Sequence, residues 1–387
     1  MPPKFFPMNN YDIIAKTQHG LEEVLAKEID LLGGEKIEII NRAVLFEGNN
    51  ELLYKSNLYL RSALKILKPI ASLRADNEDF YYKKISQIAW EDYLRLDQTF
   101  AVDAVVSGKF FKHSKYAALK AKDAIADRFR LKTGQRPSVD TENPDLSINI
   151  HINEAKITVS LDSTGTSLDR RGYRLSRTQA PLNEVLAAGI LLMSGYDGSQ
   201  DLYDPMCGSG TFSIEAAMIA ANIAPGRKRS FAFEKWNDFD KELWEKIKTE
   251  AEQNIREPQA RICASDNSRQ AIDALRSNVE LAEVDEFVTC SKKDFLETES
   301  KPGGIVVLNP PYGERLTDKN LLKLYEDIGS HLKQSYTGCD AWVISSNYEA
   351  LQHVGLAASK KERVFNGQLE CKLHKYELYR GTKRNFE

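Results

Sequence analysis

Asn309, Pro310, Pro311 and Tyr312 follow one another directly, and together they suit substitution at an exocyclic amine of a nucleobase. Such an amine is uncharged, but its lone pair is delocalised into the ring, so it is a poor nucleophile. The Asn309 side-chain carbonyl and a proline carbonyl can accept its two hydrogens and draw the nitrogen toward tetrahedral geometry. The lone pair then faces an electrophile while Tyr312 stacks on the base. Catalysis of this kind is positioning and electrostatics, with no strong acid or base. The alternative is a loop that only ends a strand, with Tyr312 packed over it.

The element that must hold these residues is the preceding run Gly304-Ile305-Val306-Val307-Leu308. It is too short for a helix and rich in β-branched residues, so it reads as a buried strand. Two prolines end it, because they cannot donate to a sheet ladder or enter a helix interior. The carboxyl end of such a strand is where open α/β sheets bind ligands.

A second bend is Asp204-Pro205-Met206-Cys207-Gly208-Ser209-Gly210-Thr211. A strand ends near Asp204, and a helix runs from Thr211 through Ala221. Glycines at a strand-to-helix turn admit a ligand to the backbone and to the helix N-terminus. The dinucleotide fingerprint GxGxxG is absent, since position 213 is Ser. Asp204 would repel a pyrophosphate, yet it can serve a cationic ligand bearing an amino-acid group. The next two strands are expected at Arg261–Ala264 and Val288–Ser291. Asp266 then follows one strand and suits ribose hydroxyls, and Asp294 follows the other and can bond an adenine amine, with Phe295 packing on the ring. Each acid alone is commonly a cap or turn former; the signal is three of them after successive strands.

The whole chain has 387 residues, 42% hydrophobic and 28% charged, as expected of a globular protein with two or three domains. No run of about eighteen apolar residues and no signal-peptide pattern occurs, so a cytoplasmic protein without a membrane partner is expected. The five cysteines are scattered and never spaced as CxxC, which argues against a disulfide framework and a zinc site; no metal is expected. Net charge is −3, so any nucleic-acid contact must be local. The stretch 103–136 carries nine Lys and Arg against three Asp and Glu, a local charge of +6. There Lys109, Lys112, Lys115 and Lys120 alternate with Phe110, Phe111 and Tyr116, a pattern suited to phosphates and unpaired bases. The alternative is a solvated helix face whose aromatics belong to the core.

The periodicities predict β-α-β-β-α over 1–61, a ferredoxin-like order, and a second small α/β region over 62–162. A basic linker, 163–181, contains Arg170, Arg171, Arg174 and Arg177; these either touch substrate backbone or tie domains together. From 182 to 387 a doubly wound sheet is expected, finished by an antiparallel edge hairpin at Asn366-Gly367. Residues 225–259 read as an insertion with a helix around Asp240–Asn254.

Asp204–Thr211 and Asn309-Pro310-Pro311-Tyr312-Gly313-Glu314-Arg315-Leu316 resemble the cofactor loop and the amino-methylating motif of class I S-adenosylmethionine-dependent methyltransferases. The linker Arg170–Arg174 with Ala180–Glu184, and Lys112–Lys120, resemble parts of THUMP-domain RNA guanine-N2 methyltransferases. The resemblance implies a Rossmann-like class I methyltransferase domain behind ferredoxin-like and THUMP domains, with S-adenosyl-L-methionine as cofactor. Its cofactor set would be Asp204, Cys207, Gly208, Gly210 and Thr211 at the first loop, with Cys207 packing under the loop and not acting as nucleophile. To these it adds Asp266, Asn267, Asp294, Phe295 and Asn309, with Thr178, Pro181 and Asn183 beside the cofactor's other side. Asn309 to Tyr312 would hold the target amine.

The implied activity is methylation of a guanine N2 in RNA, 23S rRNA first and tRNA as an alternative. A DNA adenine-N6 methyltransferase competes, because Asn-Pro-Pro-Tyr does not distinguish the two amines, though nothing N-terminal resembles a duplex reader. A binding module without catalysis is the third class, and the intact Asn309 argues against it. Replacing Lys109, Lys112 and Lys115 with Gln is expected to weaken RNA binding and flatten its salt dependence, since fewer counterions are released. Wild-type affinity and slope in a filter-binding titration would place the RNA elsewhere.

Overall fold

The computed structural model describes residues 10–174, 182–312 and 318–379. They divide into two compact units: one takes 10–17, Ala26–Leu168 and Arg229–Lys248, the other Gln18–Leu25 with the described parts of 169–228 and 249–379.

The first unit contains strands β1 (Tyr11–Thr17), β2 (Glu35–Ile40), β3 (Ala43–Gly48), β4 (Ala63–Arg74), β5 (Thr99–Ser107), β6 (Ser138–Val139), β7 (Leu146–Asn153) and β8 (Lys156–Asp162). With them go helices α1 (Glu22–Leu31) from Ala26 onward, α2 (Asn50–Tyr59), α3 (Glu78–Gln87) and α4 (Ser114–Thr133). All strands join one sheet in the order β2-β3-β1-β4-β8-β7-β5-β6. Two of these helices start at a side-chain cap: in α2 Asn49 accepts the Leu52 N–H, and in α3 Asn77 accepts the Phe80 N–H. In α4, Ala117, Ala121, Ala124, Ile125 and Phe129 are buried at helical spacing.

Strand β4, which joins β1 to β8, is absent from the sequence reading. Pro69 and two lysines interrupt its pattern, and the ladder to β8 shifts register between Pro69 and Ala71. A bulge is where a strand tolerates proline. Through β4 the two regions expected over 1–61 and 62–162 share a single sheet.

In chain order the remaining elements are α5 (Glu184–Met193), β9 (Leu202–Asp204), α6 (Thr211–Ala220), α7 (Lys241–Gln253), β10 (Ile262–Asp266), α8 (Arg269–Ala282) and β11 (Val288–Lys292). Then come β12 (Ile305–Leu308), α9 (Asp318–Ser335), β13 (Asp340–Ser345), α10 (Tyr348–Gln352), β14 (Lys360–Asn366) and β15 (Leu369–Glu377). The second unit's sheet has the order β11-β10-β9-β12-β13-β15-β14. Strands β9 to β13 are parallel, and β15 runs antiparallel to both β13 and β14. This is the expected doubly wound sheet with its edge hairpin. Its strand order reverses between β9 and β12, the switch point at which such sheets open a crevice. Below the crevice, Val306, Leu308 and Val343 pack with Leu321, Tyr325, Ile328 and Leu332 of α9.

Residues 229–248, inside the expected insertion, belong to the first unit because they carry aromatics that close its core. Tyr54 of α2 stacks on Phe233 with centroids 4.3 Å apart, and Trp244 meets Phe233 edge-on at 5.1 Å. The Tyr54 hydroxyl accepts the Asp240 N–H at 3.0 Å. A buried aromatic truncated to alanine loses both its transfer energy and the contacts around the cavity. Phe233→Ala is therefore expected to lower unfolding free energy by about 3 kcal/mol in a urea titration. A midpoint unchanged from wild type would remove this cluster from the stabilising core.

Candidate functional site

The bend after β9 is fixed by backbone and side chains of its own unit. The Cys207 N–H donates to the Ser265 carbonyl at 3.0 Å, the Gly210 N–H to the Cys207 carbonyl at 2.8 Å, and Asn278 Nδ2 to the Ser209 carbonyl at 3.0 Å. Asp266 Oδ2 accepts the Gly208 N–H at 3.0 Å, and its Oδ1 the Ser268 N–H at 2.9 Å. Gly208 and Gly210 have φ of +53° and +87°, where a side chain is strained. A Cβ on Gly210 would also lie 2.1 Å from Leu275 Cδ1, whereas one on Gly208 would meet nothing within 4 Å. Gly210 therefore packs on α8, and Gly208 fronts open space.

Asp204 is 1% exposed. Its Oδ2 accepts from Ser213 Oγ at 2.7 Å, while Oδ1 has no hydrogen-bond partner among the described residues. Burial, with Asp266 nearby, pushes its carboxyl up to about 7 against the lowering effect of the Ser213 hydroxyl. A buried carboxylate short of a partner is an unpaired acceptor and an unpaired charge at once. A ligand ammonium satisfies both, so the donor set and the open space at Gly208 fit the amino-acid end of S-adenosylmethionine. Ser213 escaped the sequence reading, where position 213 only counted against a dinucleotide fingerprint; one helical turn past Gly210 was the available signal. Cys207 is buried, and burial is the main cause raising its thiol well above the ordinary value, which agrees with a packing role.

The other acidic strand ends gather at the same edge. Asn267 Nδ2 donates to Asp294 Oδ2 at 3.3 Å, and Asp294 Oδ1 caps the following turn through the Leu296 N–H at 2.9 Å. Each oxygen of Asp266 and Asp294 still has lone-pair capacity for a ligand. Phe295, expected on an adenine ring, is instead a core residue, 4.7 Å from the His331 ring and stacked with Tyr336. Asn183 is likewise engaged: it caps α5 through the Leu186 N–H, accepts from Gln18 Nε2 at 3.0 Å and donates to Asp169 at 2.9 Å. Thr178 and Pro181 lie outside the described residues.

Asn309 follows β12, whose Ile305 and Val306 pair with Leu202 and Tyr203 of β9. In that register Asn309 lies two residues beyond the level of Asp204 on the adjacent strand, about 8 Å away at sheet spacings. Its Oδ1 accepts a short hydrogen bond from the Tyr312 hydroxyl. Pro310 is buried and Pro311 exposed. The Tyr325 hydroxyl, 3.5 Å from the Pro311 carbonyl, bonds Ser345 Oγ at 2.7 Å. Burial raises the Tyr312 hydroxyl well above the ordinary phenol value, so it stays a donor. Tyr312, expected to stack on a base, here folds back on Asn309.

The cations separate into two groups. Arg170 is exposed. Arg171 is buried against Glu215, whose Oε1 also accepts from the Tyr173 hydroxyl at 2.9 Å. Arg174 donates to the Leu182 carbonyl and to Thr211 Oγ1, both at 3.0 Å, and pairs with Glu184 at 3.2 Å. Arg171 and Arg174 thus brace the starts of α5 and α6 and are corrected from RNA contacts to structural ones. In the first unit Lys109, Lys112 and Lys115 are exposed, as are Phe110 at 49% and Tyr116 at 45%. Phe111 is buried on Tyr81. Lys120 faces acids, 3.6 Å from Asp79.

Three family models match: an RlmL ferredoxin-like domain over 12–67, a THUMP domain over 75–162 and an RMKL-like methyltransferase domain over 171–375. The Synechocystis sp. protein slr0064, whose name assigns it provisionally to RNA methyltransferases, is 39% identical over 94% of this chain and 96% of its own length. The ribosomal RNA large subunit methyltransferase K/L of Syntrophotalea carbinolica is 39% identical over 97% of this chain but 54% of its own. That of Vibrio cholerae is 36% identical over 96% and 53%. The chain thus spans about half the length of these K/L relatives. Among solved structures, SMU.472, described provisionally as a methyltransferase and complexed with SAH, has a TM-score of 0.87 and 31% identity over 96% of this chain and 99% of that one. A "possible methylase" from Clostridium difficile 630 has a TM-score of 0.89 and 31% identity over 97% and 100%. A Listeria monocytogenes protein described as a predicted N6-adenine-specific DNA methylase has a TM-score of 0.87 and 29% identity over 96% and 97%. On these grounds the chain belongs to the RMKL-like family of S-adenosylmethionine-dependent methyltransferases.

Proposed function

We propose that the chain methylates the exocyclic N2 amine of a guanine in RNA, with 23S ribosomal RNA as the substrate. The observation that carries the amine chemistry is Asn309 Oδ1, a side-chain carbonyl already accepting an O–H from Tyr312, at the end of the strand next to the one that leads into the Gly208 bend. An acceptor there serves an amine hydrogen equally well. RNA is supported by the THUMP match and by exposed Lys109, Lys112 and Lys115 beside Phe110 and Tyr116. Ribosomal RNA is supported by the names of the K/L relatives.

When bound, S-adenosylmethionine supplies an electrophilic methyl group on a sulfonium. Asp204 would hold the charge of its amino-acid end, with open space at Gly208 to admit it, and Asp266 and Asp294 would offer lone pairs to its ribose and adenine. The Asn309 and Pro310 carbonyls accept hydrogen bonds from the two amine hydrogens, which draws the nitrogen lone pair out of the ring. Tyr312 exchanges its bond to Asn309 for the face of the base. The nitrogen sheds its surplus proton to water once alkylated, so no strong base is required.

The Listeria relative's description favours a second reading, a DNA adenine amine held by the same corner. Labelled cofactor offered with deproteinised 23S rRNA, tRNA and duplex DNA, followed by nucleoside analysis, separates them. N2-methylguanosine in the ribosomal RNA is expected; label confined to N6-methyladenine in DNA would replace the proposal. Asn309→Ala is expected to lower turnover by about two orders of magnitude while cofactor affinity stays near wild type. Unimpaired turnover would strip Asn309 of this role.

A further inference from the structure

The edge hairpin pairs like charges. Arg363 of β14 stands directly opposite Lys372 of β15, which stands opposite Ser345 of β13. Directly opposed side chains share one face of the sheet, and two cations so placed repel. Lys361, two residues along β14, adds a third charge to this face. All three are exposed. Among the described residues the acid drawn to them is Glu370, 4.0 Å from Arg363 in a mostly exposed pair, which offsets little. Such a row is costly for a free edge strand and is relieved by an anion lying across it.

Its location says which anion. Leu308 pairs with Val343, and Val343 with His374, so Lys372 and Arg363 lie two residues beyond Leu308, at the end of the sheet that carries Asn309. Two strand spacings separate β12 from β15 and three separate it from β14, about 10 and 14 Å. A continuous path joins them on one face: Pro311 to the Tyr325 hydroxyl, Tyr325 to Ser345, and Ser345 to its register partner Lys372. Aromatic rings line the row, with Lys372 Nζ 4.2 Å from the Tyr348 ring centroid and the Arg363 guanidinium 5.4 Å from that of Phe365. Cations interleaved with aromatics suit unpaired nucleotides. A base can reach the Asn309 corner only if drawn out of its stack, which leaves its neighbours splayed beside it.

We infer that Lys361, Arg363 and Lys372 form a phosphate-binding row that holds the RNA strand next to the target nucleotide. The row rests on the RNA reading above, and it is separate from the lysines of the first unit: it positions the base locally, within the catalytic unit.

The test uses the full chain with deproteinised 23S rRNA lacking the modification, and compares wild type with Arg363→Gln/Lys372→Gln and Arg363→Glu/Lys372→Glu. The Gln pair is expected to raise the KM for RNA about tenfold and the Glu pair further, with cofactor affinity by calorimetry unchanged. The slope of log affinity against log salt should become shallower by about 1.5, as two lost phosphate contacts require. Wild-type KM and slope in both variants would overturn the row even where the wild-type enzyme labels RNA. Failure of the wild-type enzyme to bind or label any RNA would instead sink the RNA reading, and the row with it.

Discussion

Asp204 has left water, and among the described residues one of its two carboxylate oxygens has no hydrogen-bond partner. A buried carboxylate with one oxygen unpaired is costly, by several kcal/mol for an ion in a dry site. Protonation relieves part of that cost, which is why its carboxyl sits near 7. The cationic end of the cofactor, as proposed for this site, would offset the remainder. The bend that follows Asp204 is held in place. Asp266 pins the Gly208 N–H, Ser265 pins the Cys207 N–H, and Gly210 is locked against Leu275.

From this bend the division of labour follows. The sheet reverses at β9 and β12, so the Asp204 and Asn309 corners sit on adjacent strands, as the proposed methyl transfer requires. Tyr312 is kept protonated and Cys207 is kept a thiol by burial. The proposed chemistry asks for orientation by carbonyls, because the difficulty of the amine is a delocalised lone pair. The Tyr312 hydroxyl already satisfies the Asn309 carbonyl.

The sequence was most legible where backbone chemistry dictates geometry. Prolines after Leu308, glycines after Asp204 and Asn366-Gly367 each permit few conformations, so strand end, bend and hairpin all stood where expected. It was least legible where tertiary context decides. Strand β4 hid behind Pro69 because a bulge excuses a proline only once its partner strand is known. For Arg171 and Arg174 the sequence left substrate contact and a structural tie both open, because it does not reveal that Glu215, Thr211 and the Leu182 carbonyl surround them. Phe295 was given to a ligand ring when the core offered His331 and Tyr336 instead. Residues 229–248 looked like an interruption of one domain, and their aromatics in fact complete the core of the other.

The pH dependence of cofactor affinity tests the central claim most directly. A carboxyl near 7 must lose its proton to receive an ammonium, so binding releases that proton at acidic pH. Affinity for S-adenosylmethionine, measured by calorimetry between about pH 5.5 and 7.5, should rise roughly tenfold per unit below 7 and level off above it. In Asp204→Asn it should be weaker and flat. A wild-type affinity indifferent to pH across that range, or an Asn variant that binds as tightly, would contradict the assignment of Asp204 to the cofactor.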